Sequence, residues 1–441
     1  MPIIIIGAGL SGLAAARLLT DHNIPVVVFD QSAADRSQGH GITLREWAFK
    51  PLLEELVETY SVSDLQHAVA TDKGIGGTGW VDLTFRNNTT GETLFNPEPP
   101  GPGQNEALFR ANRSVLRNWL ATGVDVRYEH KLVSTEGQPG DVKATFENGA
   151  EYRGSMLVAA DGVNSTVRTL LLGIDPEIHP VVLFHGKAHM SKAKYEATIR
   201  AALNDSNVAA GVGDGFNTFI TVASVSEEDG VYLDWSYSRA RKGNSSSGSG
   251  SSGDDGTKDK DKDKDKDPLW MPDRAELIKV PQHLLKEIRS RDLVPPFSTL
   301  VNADDIKRDK VFNWRVRSVQ VPRPALDREA AARGVVFVGD AVHAMPIFGG
   351  EGGNHALLDG VELFRAVRAQ CASASSSSEG VVLDAAHVDA AARAFYDGGA
   401  VRRGQDAVRR CVQRFSGFHK PMDEWLKVAE MARERAETAT T

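Results

Sequence analysis

Four consecutive isoleucines, Ile3 to Ile6, run directly into Gly7-Ala8-Gly9-Leu10-Ser11-Gly12, and this junction constrains the fold more than any other part of the chain. A short apolar run of this kind suits a strand buried on both faces of a parallel sheet. The Ala- and Leu-rich stretch that follows predicts a helix over residues 10–20. Residues 26–29 predict a second buried strand that ends at Asp30. Strand, glycine turn, helix and strand in so short a stretch make a βαβ unit. Within the G-x-G-x-x-G spacing, Gly7 permits the tight turn, Gly9 lets a pyrophosphate approach the backbone, and Gly12 lets helix and strand pack closely. The pyrophosphate then meets free N–H groups at the helix start, where Leu10 and Ser11 lie. Asp30 stands where an acid can bind ribose hydroxyls. Motif and context together indicate a dinucleotide, without choosing between NAD and FAD.

The regular expression alone is weak. Gly74-Ile75-Gly76-Gly77-Thr78-Gly79 matches it too, but no buried strand precedes it and no helix pattern follows, so it reads as a glycine-rich turn. The net charge of −8 over 441 residues gives no sign of a nucleic-acid or anionic-membrane partner. Two cysteines, Cys371 and Cys411, form neither a disulfide framework nor a metal or dithiol motif. No run approaches the roughly 18 apolar residues of a membrane span. A cytoplasmic chain with no structural metal follows as the expectation.

Two later motifs decide for FAD. Ala160-Asp161-Gly162-Val163-Asn164-Ser165-Thr166-Val167-Arg168 and Gly339-Asp340-Ala341-Val342-His343 each follow an apolar strand. Each therefore sits at a strand C-terminus, where open α/β sheets bind ligands. The second continues through Gly349-Gly350-Glu351-Gly352-Gly353-Asn354 into a helix, offering backbone N–H groups to an electron-rich ring edge or a phosphate.

On these three ordered motifs, with Arg113 in Asn-Arg-Ser-Val-Leu-Arg and Arg45 in Gly-Ile-Thr-Leu-Arg-Glu-Trp-Ala, the chain resembles the single-component flavoprotein aromatic hydroxylases. This is the para-hydroxybenzoate hydroxylase-like family, and the likeness is to its fungal secondary-metabolism type. It covers most of residues 1–180 and 300–370. The resemblance implies non-covalent FAD, with Gly7, Gly9 and Gly12 on the pyrophosphate, Asp30 on the adenosine ribose and Arg113 neutralising the phosphates. It puts Asp340, after Gly339, on the ribityl chain and the Gly350, Gly352, Gly353 and Asn354 loop against the flavin ring. Asp161-Gly162 would serve FAD and a transient NAD(P)H, and Arg45 would lie near the flavin as a catalytic candidate. The activity implied is NAD(P)H- and O₂-dependent monooxygenation through a C4a-hydroperoxyflavin: hydroxylation, epoxidation or Baeyer–Villiger-type insertion. Its target would be an electron-rich aromatic, polyketide- or alkaloid-like small molecule. One departure stands out. The family usually has Pro three residues before the loop glycine matching Gly350. Here Ile347 occupies that position, the proline is Pro346, and Gly349 replaces a frequent Arg. A non-redox flavin cyclase or isomerase on the same fold is the alternative. A halogenase lacks support, since Trp235 and Trp314 stand in no W-x-W-x-I motif.

The fold expected is α/β: a Rossmann-like FAD domain over residues 1–75, 104–180 and 300–370, and a mainly antiparallel substrate domain over 76–103 and 181–299. A C-terminal helical region over 371–441 completes it, with helix patterns at 355–370 and 388–436. Residues 243–267, Gly/Ser-rich and then alternating Lys and Asp, read as a solvated, disordered insertion in which nothing is buried. Helices are also expected over 45–60, 113–122 and 273–291. On residues 231–237, period two puts Val231, Leu233, Trp235 and Tyr237 on one face. Trp235 and Tyr237 are either a substrate wall, and so catalytic candidates, or plain core aromatics. Phe216, Phe219 and Phe348 share that ambiguity. His185 and Lys187 alternate along the neighbouring strand, where they either meet a phenolate or serve a surface or capping role. Arg168 reads as a structural ion-pair partner, His343 as a packed histidine, and His40 as a loop histidine rather than a covalent flavin tether. The chain would act as a monomer or homodimer.

Overall fold

The computed structural model describes residues 1–35, 39–96, 107–243, 267–271, 275–371, 374–377 and 380–439. Strand Ile3–Ile6 lies at the centre of a five-stranded parallel sheet, between Met156–Ala159 and Val26–Phe29. Val335–Phe337 and Val126–Arg127 form its edges. All four isoleucines are buried, because helix Leu10–Asp21 covers one face, where Gly12 meets Ile5, and strand Glu151–Gly154 covers the other, where Gly154 meets Ile4. That double burial is what the unbroken apolar run encodes.

An eight-stranded, mostly antiparallel sheet forms the second layer, built around Val181–Met190, Gly230–Ala240 and Phe216–Ser226. One of its faces packs on helix Gln282–Arg289 and helix Phe297–Leu300 to make a separate core. Val231, Leu233, Trp235 and Tyr237 do share a face, but it is this core-facing one. Trp235 Nε1 donates to Asp309 at 2.7 Å, and the Tyr237 hydroxyl donates to Glu287 at 2.6 Å. The candidate substrate wall is therefore corrected: both aromatics are core residues of the second layer. Leu183, His185, Lys187 and Asp234 occupy the opposite face, toward the first layer.

A two-stranded ribbon, Gly41–Arg45 paired with Leu108–Asn112, ties the layers together. Asn112 Nδ2 donates to Ala223 O of the large sheet, and Arg45 N donates to Asn354 Oδ1 of the long helix.

Several expected boundaries shift. The helix expected over 273–291 spans only Gln282–Arg289, because Pro281 keeps Val280 out of the helical region. The one expected over 45–60 ends at Glu55, and a separate helix, Val62–Val69, follows beyond the expected span. The C-terminal pattern divides into Ala385–Asp397, Ala400–Ser416 and Met422–Ala439, interrupted at Gly398-Gly399 and before Pro421. Of the expected insertion, residues 244–266 lie outside the described residues. Its last residue is a correction. Asp267 is fully buried and holds Arg239 through two hydrogen bonds of 2.5 and 2.9 Å, anchoring the returning chain in the second core. Among the described residues no helix is long and apolar enough to cross a membrane.

Candidate functional site

A cleft of about 410 Å³ opens at the C-terminal ends of the parallel strands, between the two layers. Gly7 and Gly9 line its floor, and the three glycines of the motif have three different reasons to be glycine. Gly7 has φ +107°, and a Cβ there would lie 2.4 Å from Ala160 O. At Gly12 a Cβ would stand 2.3 Å from Gly7 O, which is the close helix–strand contact the spacing predicts. Gly9 is extended (φ −84°, ψ −176°), and the nearest protein atom to a Cβ would be 3.7 Å away. No protein contact demands glycine at position 9; only the open cleft does.

Around this floor the chain arranges charge. Asp30 lines the cleft, its Oδ2 accepting from Ala8 N and its Oδ1 from Ser32 N, each at 2.8 Å. Arg113 and Arg117 project from the first turns of helix Arg113–Leu120, which Asn112 caps. Arg117 Nε also donates to Ala8 O at 2.8 Å, tying the glycine loop to this helix. Leu10 and Ser11 are buried in the first turn of their own helix, and Ser11 Oγ would lie 2.6 Å from a Cβ at Gly339.

The two later motifs form the opposite rim. Gly162 (φ +80°) and Asp161 line the cleft, but the Asp161 carboxylate is engaged, accepting from Ser165 Oγ at 2.5 Å and Val167 N at 3.1 Å. Burial nonetheless pushes its carboxyl upward. Asp340 also lines the cleft, and burial raises its carboxyl too, outweighing His343 and Arg113. Beneath it, Asp359 Oδ2 accepts both Gly339 N at 2.7 Å and His343 Nε2 at 2.6 Å, while Arg403 binds Asp359 Oδ1 at 3.0 Å. His343 is packed as the sequence suggests, inside a charged network. Arg168 is fully buried and spends its guanidinium on the carbonyls of Ile174, Ala341 and Val163, stapling the two motifs through carbonyls rather than carboxylates.

The glycine loop after Pro346 packs over one end of the cleft, which Met345 and Ile347 line. A Cβ at Gly352 would lie 3.6 Å from Met345 and 3.9 Å from Asp340 Oδ1, and one at Gly353 would lie 3.3 Å from Leu10. Gly350 adopts φ +63° at the turn. The Asn354 side chain does not face the cleft. It donates to Thr43 O and accepts from Arg45 N, pinning the ribbon to the long helix. Glu351, after the glycine turn, is held below the usual carboxylate range chiefly by the His355 ring, with Arg414 and Arg45 adding to it. Gly349 has a local cause: a Cβ there would meet Cys411 Sγ at 2.5 Å. His40 lines the cleft edge-on to Trp314, and burial, with Arg113, pushes its pKa down to about 3.

The family profile described as "FAD binding domain" matches residues 1–182. The chain is 46% identical to the FAD-dependent monooxygenase adaC of Aspergillus niger, across 97% of this chain and 96% of that one. It is 45% identical to the FAD-dependent monooxygenase vrtH of Penicillium aethiopicum, across 99% and 97%. The chain belongs to the FAD-dependent monooxygenases. Among solved structures, the monooxygenase has the fold of 2,6-dihydroxypyridine-3-hydroxylase from Arthrobacter nicotinovorans (TM-score 0.67, 17% identity, 95% and 92% coverage). Klebsiella pneumoniae HpxO complexed with FAD and uric acid is a second such neighbour (TM-score 0.66, 18% identity, 98% and 93% coverage). The cofactor it binds is thus FAD, and the donor set fits: an open backbone at Gly9, two arginines at the floor and an acid on each rim.

Sequence reasoning missed Arg117, one helical turn beyond Arg113, although that spacing alone places both on one face. It also missed Trp314, which lines the cleft. Trp314 carries no motif, and only strand register brings it to this side.

Proposed function

We propose that this monooxygenase uses NAD(P)H and O₂ to hydroxylate or epoxidise an electron-rich aromatic, polyketide- or alkaloid-like molecule. The observation that carries the cofactor placement is the unobstructed backbone at Gly9, flanked by Arg113 and Arg117 on one side and Asp30 on the other. Gly7, Gly9, Leu10, Ser11 and Gly12 hold the pyrophosphate at the helix start, and the two arginines neutralise it. Asp30 takes the adenosine ribose, and Asp340 takes the ribityl hydroxyls. The 344–353 segment then receives the isoalloxazine ring. Bound FAD supplies the two-electron redox chemistry and the activation of O₂. The chain's own part is to position, to exclude water and to orient the substrate. Positive ends of backbone at Gly350–Gly353 favour negative charge on the ring. Asp161-Gly162 serves the cofactor pair through backbone, since its carboxylate is already committed to a helix cap. Arg45, whose backbone N–H donates to Asn354, would lie beside the loop that faces the ring.

The first test mixes the chemically reduced, anaerobic holoenzyme with oxygenated buffer in a stopped-flow instrument. A transient absorbance distinct from both oxidised and reduced flavin, and NAD(P)H consumption that phenols accelerate, are expected. Single-phase reoxidation with stoichiometric peroxide, indifferent to NAD(P)H and to phenols, would refute monooxygenation and leave a non-redox cyclase or isomerase.

A further inference from the structure

His40 stands at the corner where the chain enters the ribbon, and it lines the cofactor cleft. Its backbone is fixed from three directions. Arg113 N donates to His40 O at 3.0 Å, which ties the corner to the helix that carries the floor arginines. Lys187 Nζ reaches Gly39 O at 3.4 Å from the second layer. At Gly41 a Cβ would stand 2.9 Å from Val222 O, so the ribbon lies hard against the large sheet. The ring is held as well. It meets Trp314 edge-on, with 6.1 Å between centroids and 72° between planes, and Trp314 is itself stacked on His185 at 4.3 Å.

Within this fixed frame the two ring nitrogens are idle. Among the described residues neither has a hydrogen-bond partner, and neither is sealed inside the protein, so the open space that the ring lines is the cleft. A histidine so placed can serve as a base or as an uncharged hydrogen-bonding partner, and its surroundings decide. Burial first, then Arg113, with His185 and Lys187 adding, push its pKa down to about 3 against the pull of Asp234. A phenol has a pKa of about 10, so moving its proton onto this ring would be unfavourable by about seven powers of ten. That excludes the base and leaves the neutral ring, which offers one N–H donor and one lone-pair acceptor. An uncharged group also suits the place, since Arg113 and Arg117 already answer the charges of a pyrophosphate.

We propose that His40 is a direct ligand of FAD, its neutral imidazole hydrogen-bonding the flavin half at the ribityl hydroxyls or the polar edge of the ring. The inference rests on the placement proposed above, in which FAD runs from the glycine floor to the 344–353 segment. Arg113 bears electrostatically on both His40 and Asp340, so the imidazole belongs to the same level of the cleft as the carboxyl that takes the ribityl hydroxyls, beyond the pyrophosphate. Because backbone and ring are already fixed, the hydrogen bonds form without ordering a mobile side chain.

The test compares FAD with ADP, which carries the pyrophosphate and no flavin, on the apoprotein of wild type and of His40→Phe. Phenylalanine keeps an aromatic ring against Trp314 and loses both nitrogens. FAD is titrated by flavin fluorescence and by the position of the bound-flavin absorption bands, and ADP by calorimetry. His40→Phe is expected to weaken FAD roughly tenfold and to shift the bands, since a flavin polar atom is left buried without its partner. ADP should change by less than about twofold, and the apoprotein thermal midpoint should stay in place. His40→Gln, which both donates and accepts, should recover most of the lost FAD affinity; if His40→Phe unfolds more easily, this recovery decides for the proposal and its failure against it. Unchanged FAD affinity in His40→Phe would overturn the proposal, as would equal losses for FAD and ADP, which would put His40 to work on Arg113 and the floor. ADP that fails to bind the wild type would refute the placement of FAD on the glycine floor, and the proposal with it. ADP binding joined to an FAD affinity indifferent to His40 would refute the proposal alone.

Discussion

Gly9→Ala and Gly12→Ala are two steps of one motif, yet they should fail in opposite ways. At position 12 the added Cβ would stand 2.3 Å from Gly7 O and 3.1 Å from both Ala160 Cβ and Ile5 Cγ2. Two of these are parts of the central strands and loop, so helix Leu10–Asp21 must lift away. Overpacking of that kind costs about 1–3 kcal/mol. At position 9 the backbone is already extended and the nearest protein atom is 3.7 Å away, so the apoprotein should change by no more than about 0.5 kcal/mol. The methyl instead projects into the space that a pyrophosphate needs. Losing one charge-assisted contact, worth about 1.5–3 kcal/mol, weakens FAD roughly 10- to 150-fold. The assay pairs apoprotein thermal unfolding with FAD titration. Gly12→Ala should lower the apoprotein midpoint, whereas Gly9→Ala should leave it in place and raise the Kd for FAD. If Gly9→Ala destabilises the apoprotein as much as Gly12→Ala does, or binds FAD normally, the reading of the cleft floor is refuted.

Arg117→Met should weaken FAD by roughly tenfold, since it removes a cation from the floor together with its bond to Ala8 O; equal FAD affinity in a titration would contradict its role. Asp359→Asn strips the counter-charge from buried His343 and from Arg403, so a stability loss of about 3–5 kcal/mol and a lower FAD content are expected from denaturant unfolding and flavin absorbance. Burial alone would lower the His343 pKa, but Asp359 outweighs it and the net shift is upward. The His343 contribution is therefore complete below its ordinary value of 6.5 and is lost as pH rises through the raised folded value, so wild type should lose stability on that alkaline side and His343→Gln should not. Trp235→Phe should cost about 1 kcal/mol through its lost bond to Asp309 while leaving kcat/KM within about twofold, because the ring faces the second core rather than the cleft.

Much of the FAD half was legible because its signals are local. The Ile3–Ile6 run, the glycine spacing and Asp30 lie within one βαβ unit, and their roles follow from backbone geometry at short range. The second layer was legible only by halves. Period two put Val231, Leu233, Trp235 and Tyr237 together correctly, but periodicity says which residues share a face, not what covers it. Helix Gln282–Arg289 lies some fifty residues on and claims that face, which leaves Leu183, His185, Lys187 and Asp234 on the face toward the first layer. A charged run gave the same lesson at Asp267: composition marked it as solvated, while Arg239, across the insertion, buries it. Asn354 was read as facing the flavin, yet its amide is held by Thr43 and Arg45, partners more than 300 residues earlier in sequence.

The unusual loop after Pro346 makes sense only with the C-terminal helices in place. Phe348 stacks on Phe415 at 5.0 Å, Glu351 pairs with Arg414 at 3.0 Å, and the missing side chain at Gly349 leaves room for Cys411 Sγ. All three partners belong to helix Ala400–Ser416, which also sends Arg403 to Asp359 beneath the Gly339-Asp340 turn. One helix, well outside the 1–182 segment that matches the FAD-binding profile, thus braces both the loop and the Gly339-Asp340 turn at this end of the cleft. An arginine at 349 would collide with that brace. The loop sequence and the helix sequence therefore form one unit, with the glycine at 349 the complement of Cys411. Gly349→Arg without a smaller residue at position 411 should therefore displace the brace, read as a lower thermal midpoint of the apoprotein.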